Sequence, residues 1–242
     1  MTITLAFDVY GTLIDTHGVV VALGERLGDK AGEFSRRWRE KQLEYSFRRA
    51  LMQNYVDFSV CTRQALDYTN SSCGSPLSAP DMEALMAAYG KLPPFADVEA
   101  GLAAARDAGH RLFAFSNGRA DSVEALLGNA AILGYFDGIV SVDEMKSYKP
   151  NPGVYGYFLR QAQAAGSDAW LVSSNPFDVI GAISAGMRAA WVKRSADALF
   201  DPWGIDPTLV VGSVAELAAR IGEPPHRPPF RAVQTQDTFL PL

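Results

Sequence analysis

Strand-forming segments are distributed very unevenly along this sequence. An apolar, partly β-branched run at residues 3–7 predicts a buried strand, and no further strand pattern occurs in residues 15–92. From residue 93 onward, short apolar runs alternate with helical patterns. This alternation is typical of a parallel sheet covered by helices, which we expect to be a Rossmann-like α/β core. The later strands are predicted at 111–115, 138–142, 169–172, 188–192 and 209–211.

The long segment between the first strand and the rest of the sheet is predicted to contain only helices. A charged segment over residues 31–58 predicts one long helix, and residues 81–89 predict another that ends at Gly90. A helical insertion directly after the first strand of a parallel sheet begins at the carboxyl edge, where such sheets bind ligands. We therefore expect the insertion to cover a ligand site as a cap.

The sequence therefore predicts two structural units and a tail. We expect residues 1–14 and 93–222 to form the catalytic core, and residues 15–92 to form an all-helical cap. The chain crosses between them near residues 15 and 93, which are the natural hinges. Residues 223–242 are rich in proline, which predicts an extended tail.

Composition and charge limit the possible partners. A net charge of −5 and a pI of about 5.2 argue against binding nucleic acid. No apolar run approaches the roughly 18 residues of a membrane span. The two cysteines, Cys61 and Cys73, do not form a metal-binding pattern, and Asp8 lies too near the N-terminus to leave room for a signal peptide. We expect a cytoplasmic protein with neither nucleic-acid nor membrane partners.

The first predicted strand ends at a carboxylate, Asp8, in the segment Asp8-Val9-Tyr10-Gly11-Thr12. Asp8 is placed as a nucleophile would be, although Asp is also common as a turn residue. The segment resembles the first motif of the haloacid dehalogenase superfamily, whose phosphatases carry Asp-x-Asp-x-Thr. Their second Asp protonates a departing alkoxide, and Tyr10 stands in its place here. Because halide leaves without a proton, this difference favours displacement of halide from carbon over phosphoryl transfer.

Polar side chains also follow the later predicted strands. Ser116 and Asn117 follow the second strand and suit either a helix cap or a site that binds a carboxylate. Lys149 is either a solvated loop charge or a neighbour of Asp8, where an ammonium would keep the nucleophile ionised. Tyr155 either packs in the core or points from the start of a helix into the same cleft.

The segment after the fourth strand, residues 173–178, bears on metal binding. Metal-dependent phosphatases of the superfamily carry acidic residues here, because Mg²⁺ prefers carboxylate oxygens. This sequence supplies one carboxylate, Asp178, together with Ser173 and Asn175. Asp178 also suits the N-terminus of a helix, where a negative charge is favourable. We expect neither a metal ion nor any other cofactor.

One arginine of the predicted cap, Arg39, is aligned with an apolar stripe. It precedes Leu43 by four residues and Phe47 by eight, so the three share a helix face. Its guanidinium either reaches water along that face or meets an anion. Opposite Asp8, it would be a good acceptor for a departing halide. We expect Tyr10, Leu43, Phe58 and Phe177 to form an apolar wall that excludes water from the site.

Together these segments resemble the L-2-haloacid dehalogenases from the first strand to about residue 220. The resemblance implies that Asp8 is the nucleophile and Arg39 the halide acceptor, and it suggests a homodimer formed through the cap helices, with Tyr45 or Phe47 as candidate contacts. Glu40 stands where some members carry a neutral Gln. Further family site positions are taken by Thr12, Ser116, Lys149, Tyr155, Ser173, Asn175 and Asp178. The segments that carry the resemblance are Asp8-Val9-Tyr10-Gly11-Thr12, Trp38-Arg39-Glu40-Lys41-Gln42-Leu43-Glu44-Tyr45, Ser116-Asn117-Gly118, Tyr148-Lys149-Pro150 and Ser173-Ser174-Asn175-Pro176-Phe177-Asp178, of which the Trp-Arg segment is the most specific.

The expected reaction is the cofactor-free hydrolysis of short (S)-2-haloalkanoic acids to (R)-2-hydroxyalkanoic acids. Asp8 attacks C2 and forms an ester, halide leaves toward Arg39 and Asn117, and water then attacks the ester with Asp178 as its activating group. Ser116 and nearby backbone N–H groups hold the substrate carboxylate. The alternatives are a Mg²⁺-dependent phosphatase of the same superfamily, a non-catalytic member, and a hydrolase for another C2-activated acid such as a strained cyclic amino acid.

Overall fold

A computed structural model describes residues 2–74 and 77–221 of the chain. Its sheet has six parallel strands, which confirms the predicted α/β class. The strands are β1 (Thr4–Asp8), β2 (Arg111–Ser116), β3 (Gly138–Ser141), β4 (Ala169–Ser173), β5 (Arg188–Val192) and β6 (Leu209–Val211). Their order across the sheet is β3-β2-β1-β4-β5-β6. Because the chain order reverses around β1, the carboxyl end of this strand lies at the point where open α/β sheets bind ligands.

The helices fall into two groups along the chain. Four lie within residues 15–92, and the others lie within residues 93–221, where they alternate with the later strands or follow them. The first group is α1 (Gly18–Leu27), α2 (Ala31–Leu51), α3 (Phe58–Ser72) and α4 (Ala79–Tyr89). The second group is α5 (Val98–Asp107), α6 (Ala120–Asn129), α7 (Pro152–Gln161), α8 (Pro176–Ser184) and α9 (Leu217–Arg220).

The single helix predicted over residues 31–58 is wrong, because α2 ends at Leu51 and α3 begins at Phe58. Gln53 has a φ of 53°, which interrupts helical geometry. The Asp57 carboxylate accepts a hydrogen bond from Ser59 N and caps the new helix. The apolar spacing that suggested continuity includes Leu51, whose side chain is 87% exposed and contributes nothing to packing.

The central strand β1 is buried along its whole length. Leu5 and Phe7 point into a core on one face of the sheet, whereas Ala6 points into a second core on the other face. Asp8 pairs in register with Phe115 of β2, and the preceding Phe7 pairs with Val172 of β4. The carboxyl ends of these three strands therefore lie side by side.

The chain crosses between the helical insertion and the sheet through two adjacent segments. Ile14 forms an isolated antiparallel bridge with Pro94. Asp15 N donates to Pro93 O at 2.8 Å, and Phe95 N donates to Leu13 O at 3.0 Å. These paired segments lie where the sequence places the hinges.

Two sequence predictions concern membrane association and the tail. Across residues 2–74 and 77–221, none of the helices combines the length and the apolar character that crossing a membrane requires. The predicted extended tail at 223–242 lies outside the described residues.

Gly101 allows α5 to pack closely against the segment before α9. A Cβ atom at this position would lie 2.5 Å from the carbonyl carbon of Val214 and 2.6 Å from its oxygen, and backbone atoms cannot easily move aside. We predict that Gly101→Ala lowers the free energy of unfolding by about 1–3 kcal/mol. Gly24→Ala is the control, because a Cβ there meets nothing within 4 Å, and it should raise stability by roughly 0.5–1 kcal/mol. Urea unfolding measures both, and equal effects would contradict this packing.

Candidate active site

The Asp8 carboxylate lies at the carboxyl end of β1 and accepts hydrogen bonds at both oxygens. Its Oδ2 accepts from Thr12 Oγ1 at 2.8 Å, Asn175 Nδ2 at 2.8 Å and Ser173 Oγ at 3.3 Å. Its Oδ1 accepts from Lys149 Nζ at 3.1 Å. These donors fix the orientation of the carboxylate. Because Oδ2 accepts three of these hydrogen bonds and Oδ1 accepts one, Oδ1 has more lone-pair density free for attack.

The turn after Asp8 explains why Thr12 reaches it. Gly11 has a φ of 83°, a conformation that glycine adopts without steric cost, so the chain folds back on itself. Ser174 then ties this turn to the loop after β4, because its backbone N donates to Thr12 Oγ1 and its hydroxyl donates to Gly11 O, each at 2.8 Å. The motif glycine and threonine therefore position the carboxylate.

Lys149 lies fully buried between two carboxylates. Its ammonium donates to Asp8 Oδ1, to Asp178 Oδ2 at 2.9 Å and to Phe115 O at 2.8 Å, which uses all three N–H groups. Burial alone would lower the pKa of Lys149, but the carboxylates of Asp178 and Asp8 outweigh it and hold the pKa above its usual range. A permanent positive charge therefore lies beside Asp8.

Asp178 lies in the first turn of α8 and has no exposure to solvent. Burial raises its pKa; the Lys149 ammonium opposes this effect, the Asp8 carboxylate adds to it, and the pKa lies above the usual range. Tyr155 donates its hydroxyl to Asp178 Oδ1 at 2.7 Å from within the core. Tyr155 is thus buried in the core, as one of its two alternatives expects, and its hydroxyl contacts the site through Asp178.

Ser116 and Asn117 organise the loop after β2. The Ser116 hydroxyl is buried and accepts from Gly118 N at 3.1 Å, while Asn117 Oδ1 accepts from Lys149 N at 2.9 Å. Helix α6 begins only at Ala120, after Arg119, so the helix-cap alternative for Ser116 and Asn117 is wrong. Asn117 instead fixes the backbone that carries Lys149.

Helix α2 turns two different faces toward the rest of the protein. Its fully buried face consists of Ala31, Phe34, Trp38, Gln42 and Ser46. Arg39, Leu43 and Phe47 lie half-buried on the adjacent face. Phe47 packs edge-to-face against Phe177 of α8, with ring centroids 5.0 Å apart. The Arg39 face therefore borders the loop that carries Asn175.

The two charged residues that follow Trp38 on α2, Arg39 and Glu40, have different surroundings. Arg39 Nη1 donates to Gln42 Oε1 at 2.7 Å. Glu40 is 69% exposed, and its carboxylate lies 3.9 Å from Arg36 Nε. Glu40 therefore points away from the face that carries Arg39.

Aromatic rings link the first motif to the helical insertion. Tyr10 packs against Tyr89 and Phe58, with centroid distances of 5.5 and 6.4 Å. Burial raises the pKa of Tyr10, Tyr89 adds to this effect, and the nearby positive charge of Arg39 acts against it. Arg39 is linked to Tyr10 through Gln42 and Tyr89, because Gln42 Oε1 accepts from both Arg39 and the Tyr89 hydroxyl and the Tyr89 ring packs on Tyr10. A cavity of about 190 Å³ borders Tyr10, Phe58 and Tyr89.

Some contacts of this region carry no sequence signal. Tyr89 packs on Tyr10 and lies outside every motif of the sequence. Gln42 lies within the Trp-Arg segment, but its contacts with Arg39 and Tyr89 were not predicted. Tyr148 is fully buried and donates its hydroxyl to Val56 O, which links the loop of Lys149 to the connection between α2 and α3. Only its position beside Lys149 in the sequence hints at this contact.

The donor set around Asp8 differs from that of a magnesium site. Within residues 2–74 and 77–221, no cluster of three or more His, Cys, Asp or Glu side chains is suited to hold a metal ion. The two carboxylates of the site, Asp8 and Asp178, are instead bridged by the Lys149 ammonium.

The chain resembles several known dehalogenases. The pattern of the haloacid dehalogenase-like hydrolase family matches residues 4–186. Haloacetate dehalogenase H-2 of Moraxella sp. strain B is 36% identical over 207 residues, which cover 86% of this chain and 92% of that protein. (S)-2-Haloacid dehalogenase 2 of Pseudomonas sp. strain CBS-3 is 35% identical over 213 residues, which cover 88% and 93%.

Solved structures of a dehalogenase also have a fold similar to that of this chain. The structure of L-2-haloacid dehalogenase from Xanthobacter autotrophicus matches with a TM-score of 0.85 and 30% identity, over 91% of this chain and 98% of that one. A structure of that enzyme with chloropropionic acid covalently bound matches with a TM-score of 0.84.

The buried charges predict a pH-dependent effect of removing Lys149. Lys149→Met leaves Asp8 and Asp178 as buried, unpaired carboxylates, so we expect a loss of about 3–5 kcal/mol in unfolding free energy at pH 7. Unpaired buried carboxylates have raised pKa values and destabilise only while ionised, so the loss should shrink as the pH falls and they bind protons. Urea unfolding at pH 7 and pH 4.5 measures this change.

Lys146→Met is the matched control, because Lys146 is exposed and pairs with Asp143 at 3.0 Å. Its effect should stay below about 1 kcal/mol at pH 7. A Lys149→Met variant that is no less stable than this control, or equally destabilised at both pH values, would show that the three charges do not form a coupled unit.

Proposed function

The chain belongs to the haloacid dehalogenase-like hydrolases, and on that premise we propose that it hydrolyses short (S)-2-haloalkanoic acids to (R)-2-hydroxyalkanoic acids. The observation that carries the proposal is the Asp8 carboxylate, which is bonded to Lys149 and three other donors and has Tyr10, not a second acid, two residues later. This set suits attack on carbon, because a departing halide needs no proton. The named relatives act on haloacids and support the same substrate class.

In the first step, Asp8 Oδ1 attacks C2 on the side opposite the halogen. The new C2–O bond forms as the carbon–halogen bond breaks, and the halogen departs with its bonding electrons as halide. Lys149 places a positive charge beside Asp8 Oδ1 and orients this oxygen for the attack. Arg39 receives the halide with its remaining N–H donors, and Asn117 assists it. Backside attack inverts C2, which converts an (S) substrate to an (R) product.

In the second step, water attacks the carboxyl carbon of the Asp8 ester. With the substrate on Oδ1, negative charge develops on Oδ2, where Thr12, Ser173 and Asn175 already donate. These preorganised donors act as an oxyanion hole. Asp178 takes up the proton of the water, a role suited by its raised pKa. The tetrahedral intermediate then collapses by breaking the bond between the Asp8 carboxyl carbon and Oδ1, and the departing alkoxide takes the proton that Asp178 accepted, while the second proton of the water leaves the regenerated Asp8 to solvent. The C2–O bond stays intact, so the product keeps the inverted configuration.

Substrate selection falls to the residues around this centre. Ser116 and adjacent backbone N–H groups bind the substrate carboxylate. An apolar wall formed by Tyr10, Leu43, Phe58 and Phe177 excludes water that would solvate the nucleophile. Tyr155 holds Asp178 in place through its hydroxyl.

We propose that turnover needs no metal ion. Mg²⁺ would have to displace the Lys149 ammonium, which donates to both carboxylates and already supplies positive charge between them. The same contact weighs against a Mg²⁺-dependent phosphatase, and the full set of polar groups around Asp8 weighs against a non-catalytic protein. Hydrolysis of a strained cyclic amino acid by the same route stays an alternative.

We also propose that residues 15–92 act as a helical cap on a core formed by residues 1–14 and 93–222, with 223–242 as a tail. The contact of Phe47 with Phe177 and the paired crossings near residues 14 and 94 support this division. Phe47, a candidate dimer contact, is thus engaged within the chain. The homodimer and the cytoplasmic location stay predictions, and gel filtration tests the first.

The proposed reaction predicts stereospecific halide release. With EDTA present, chloride should appear from (S)-2-chloropropionate and not from the (R) form, because attack from one fixed side reaches only one enantiomer. The product should be (R)-lactate. Equal release from both enantiomers, or complete loss of activity with EDTA, would contradict the proposal. Phosphate release from a phosphate ester that requires Mg²⁺ would instead support the phosphatase alternative.

The roles of Asp8 and Arg39 predict two different losses. Asp8→Asn should abolish turnover while circular dichroism shows a retained fold. Arg39→Ala should lower kcat about 100-fold or more, as removal of a preorganised charge-stabilising donor does. Arg48→Ala is the control, because Arg48 lies on the same helix but is 63% exposed and pairs with Glu44. Similar losses in the two arginine variants would remove Arg39 from the site.

A further inference from the structure

We infer that Gln42 is a positioning residue that holds the Arg39 guanidinium ready for the departing halide, an inference that rests on the proposed function. Gln42 lies three residues after Arg39 on α2, and its side chain is buried with 1% exposure. Its Oε1 accepts from Arg39 Nη1 at 2.7 Å. A buried amide at this position is costly unless its polar atoms are paired.

The orientation of the Gln42 amide follows from its other partner. Thr62 Oγ1 donates its single proton to Phe58 O at 2.9 Å, so its lone pairs face the amide. Gln42 Nε2 donates to these lone pairs at 2.5 Å. The amide nitrogen is therefore committed to α3, and the amide oxygen must face Arg39.

A second group steadies the same oxygen. The Tyr89 hydroxyl donates to Gln42 Oε1 at 3.3 Å, and the Tyr89 ring packs between Tyr10 and Trp38 with centroid distances of 5.5 and 5.7 Å. Gln42 thus connects three helices, α2, α3 and α4, at the base of the Arg39 side chain. Its oxygen is a fixed acceptor.

The hydrogen bond to Gln42 sets the direction of the Arg39 guanidinium. Arg39 is half-buried, and a cavity of about 20 Å³, roughly the space of one water molecule, borders Arg39, Gln42, Trp38 and Tyr89. Among the described residues, the Gln42 amide is the group that accepts a hydrogen bond from this guanidinium. The other N–H groups of the fork-shaped guanidinium stay available for an anion.

The acceptor also has to be neutral. A carboxylate at residue 42 would form a charge-assisted pair with Arg39 and compete directly with halide for the same donors. The acidic residues nearest along α2 point elsewhere: Glu40 faces Arg36, and Glu44 pairs with Lys41 and Arg48. The arrangement leaves the positive charge of Arg39 uncompensated by its own helix.

The decisive comparison is between Gln42→Glu and Gln42→Met, with Ser46→Ala as the matched control. Ser46 is buried on the same face of α2, but its hydroxyl donates only to Leu43 O of its own helix. The measurements are kcat and KM for (S)-2-chloropropionate, inhibition by bromide, and the shift in Tm that bromide produces.

We expect Gln42→Met to lower kcat about tenfold and Gln42→Glu about 100-fold, since small misplacements of a catalytic group cost this much. KM should change by less than about threefold, because the contact develops as halide departs. The bromide inhibition constant should rise in the same order, and the bromide-induced rise in Tm should be smallest for Gln42→Glu. A purely structural role would lower the Tm of both variants without raising the bromide inhibition constant and without reducing the bromide-induced rise in Tm. Ser46→Ala should resemble the wild type in every measurement.

Two results would overturn the inference. One is wild-type kcat and bromide inhibition in Gln42→Glu; the other is an equal loss in Ser46→Ala. If the Glu variant does not fold, unchanged kcat and bromide inhibition in Gln42→Met have the same consequence. A wild-type protein that releases no halide contradicts the proposed function itself. In that case the bromide-dependent Tm of wild type and Gln42→Glu, which needs no turnover, decides the inference separately.

Discussion

The buried ammonium of Lys149, bridging Asp8 and Asp178, is the interaction on which the rest of the site depends. Burying three charges costs free energy unless they pair with one another, so the elements that carry them must bring them within hydrogen-bond distance. Those elements are the end of β1, the loop that precedes α7 and the first turn of α8. The strand order places β1 between β2 and β4, which brings the segments that carry these charges to the same edge of the sheet.

Around that centre the chain separates two tasks. The edge of the sheet orients the nucleophile, since the Lys149 ammonium donates to one oxygen of Asp8 and three neutral donors bind the other. The helices between β1 and β2 supply the opposite wall, where Gln42 holds Arg39 and the aromatic rings exclude water. The proposed chemistry requires both, because attack and departure occur on opposite sides of the same carbon.

The sequence predicted the sheet and the residues at its edge because these signals are local. Each strand is an apolar run, Asp8 ends β1, and Asn175 follows closely after β4, so placing the strands in parallel also brings these two side chains together. Lys149 lies farther from its strand, β3, and the family resemblance was the signal that assigned it to the site. The end of α2 was missed because Leu43, Phe47 and Leu51 keep helical spacing, although Leu51 is exposed. The direction of Tyr155, and the contact of Tyr89 with Gln42, depend on how helices distant in sequence pack, which spacing does not encode.

The most direct test of the covalent mechanism is a single turnover in H₂¹⁸O with enzyme in excess over (S)-2-chloropropionate. If Asp8 attacks C2 and water then attacks the Asp8 carboxyl carbon, the hydroxyl oxygen of the product comes from the enzyme. Mass spectrometry should therefore find ¹⁶O in the hydroxyl group of lactate and ¹⁸O in the peptide that contains Asp8. Lactate carrying ¹⁸O in its hydroxyl group after the first turnover, with an unlabelled peptide, would show direct attack by water and contradict the account.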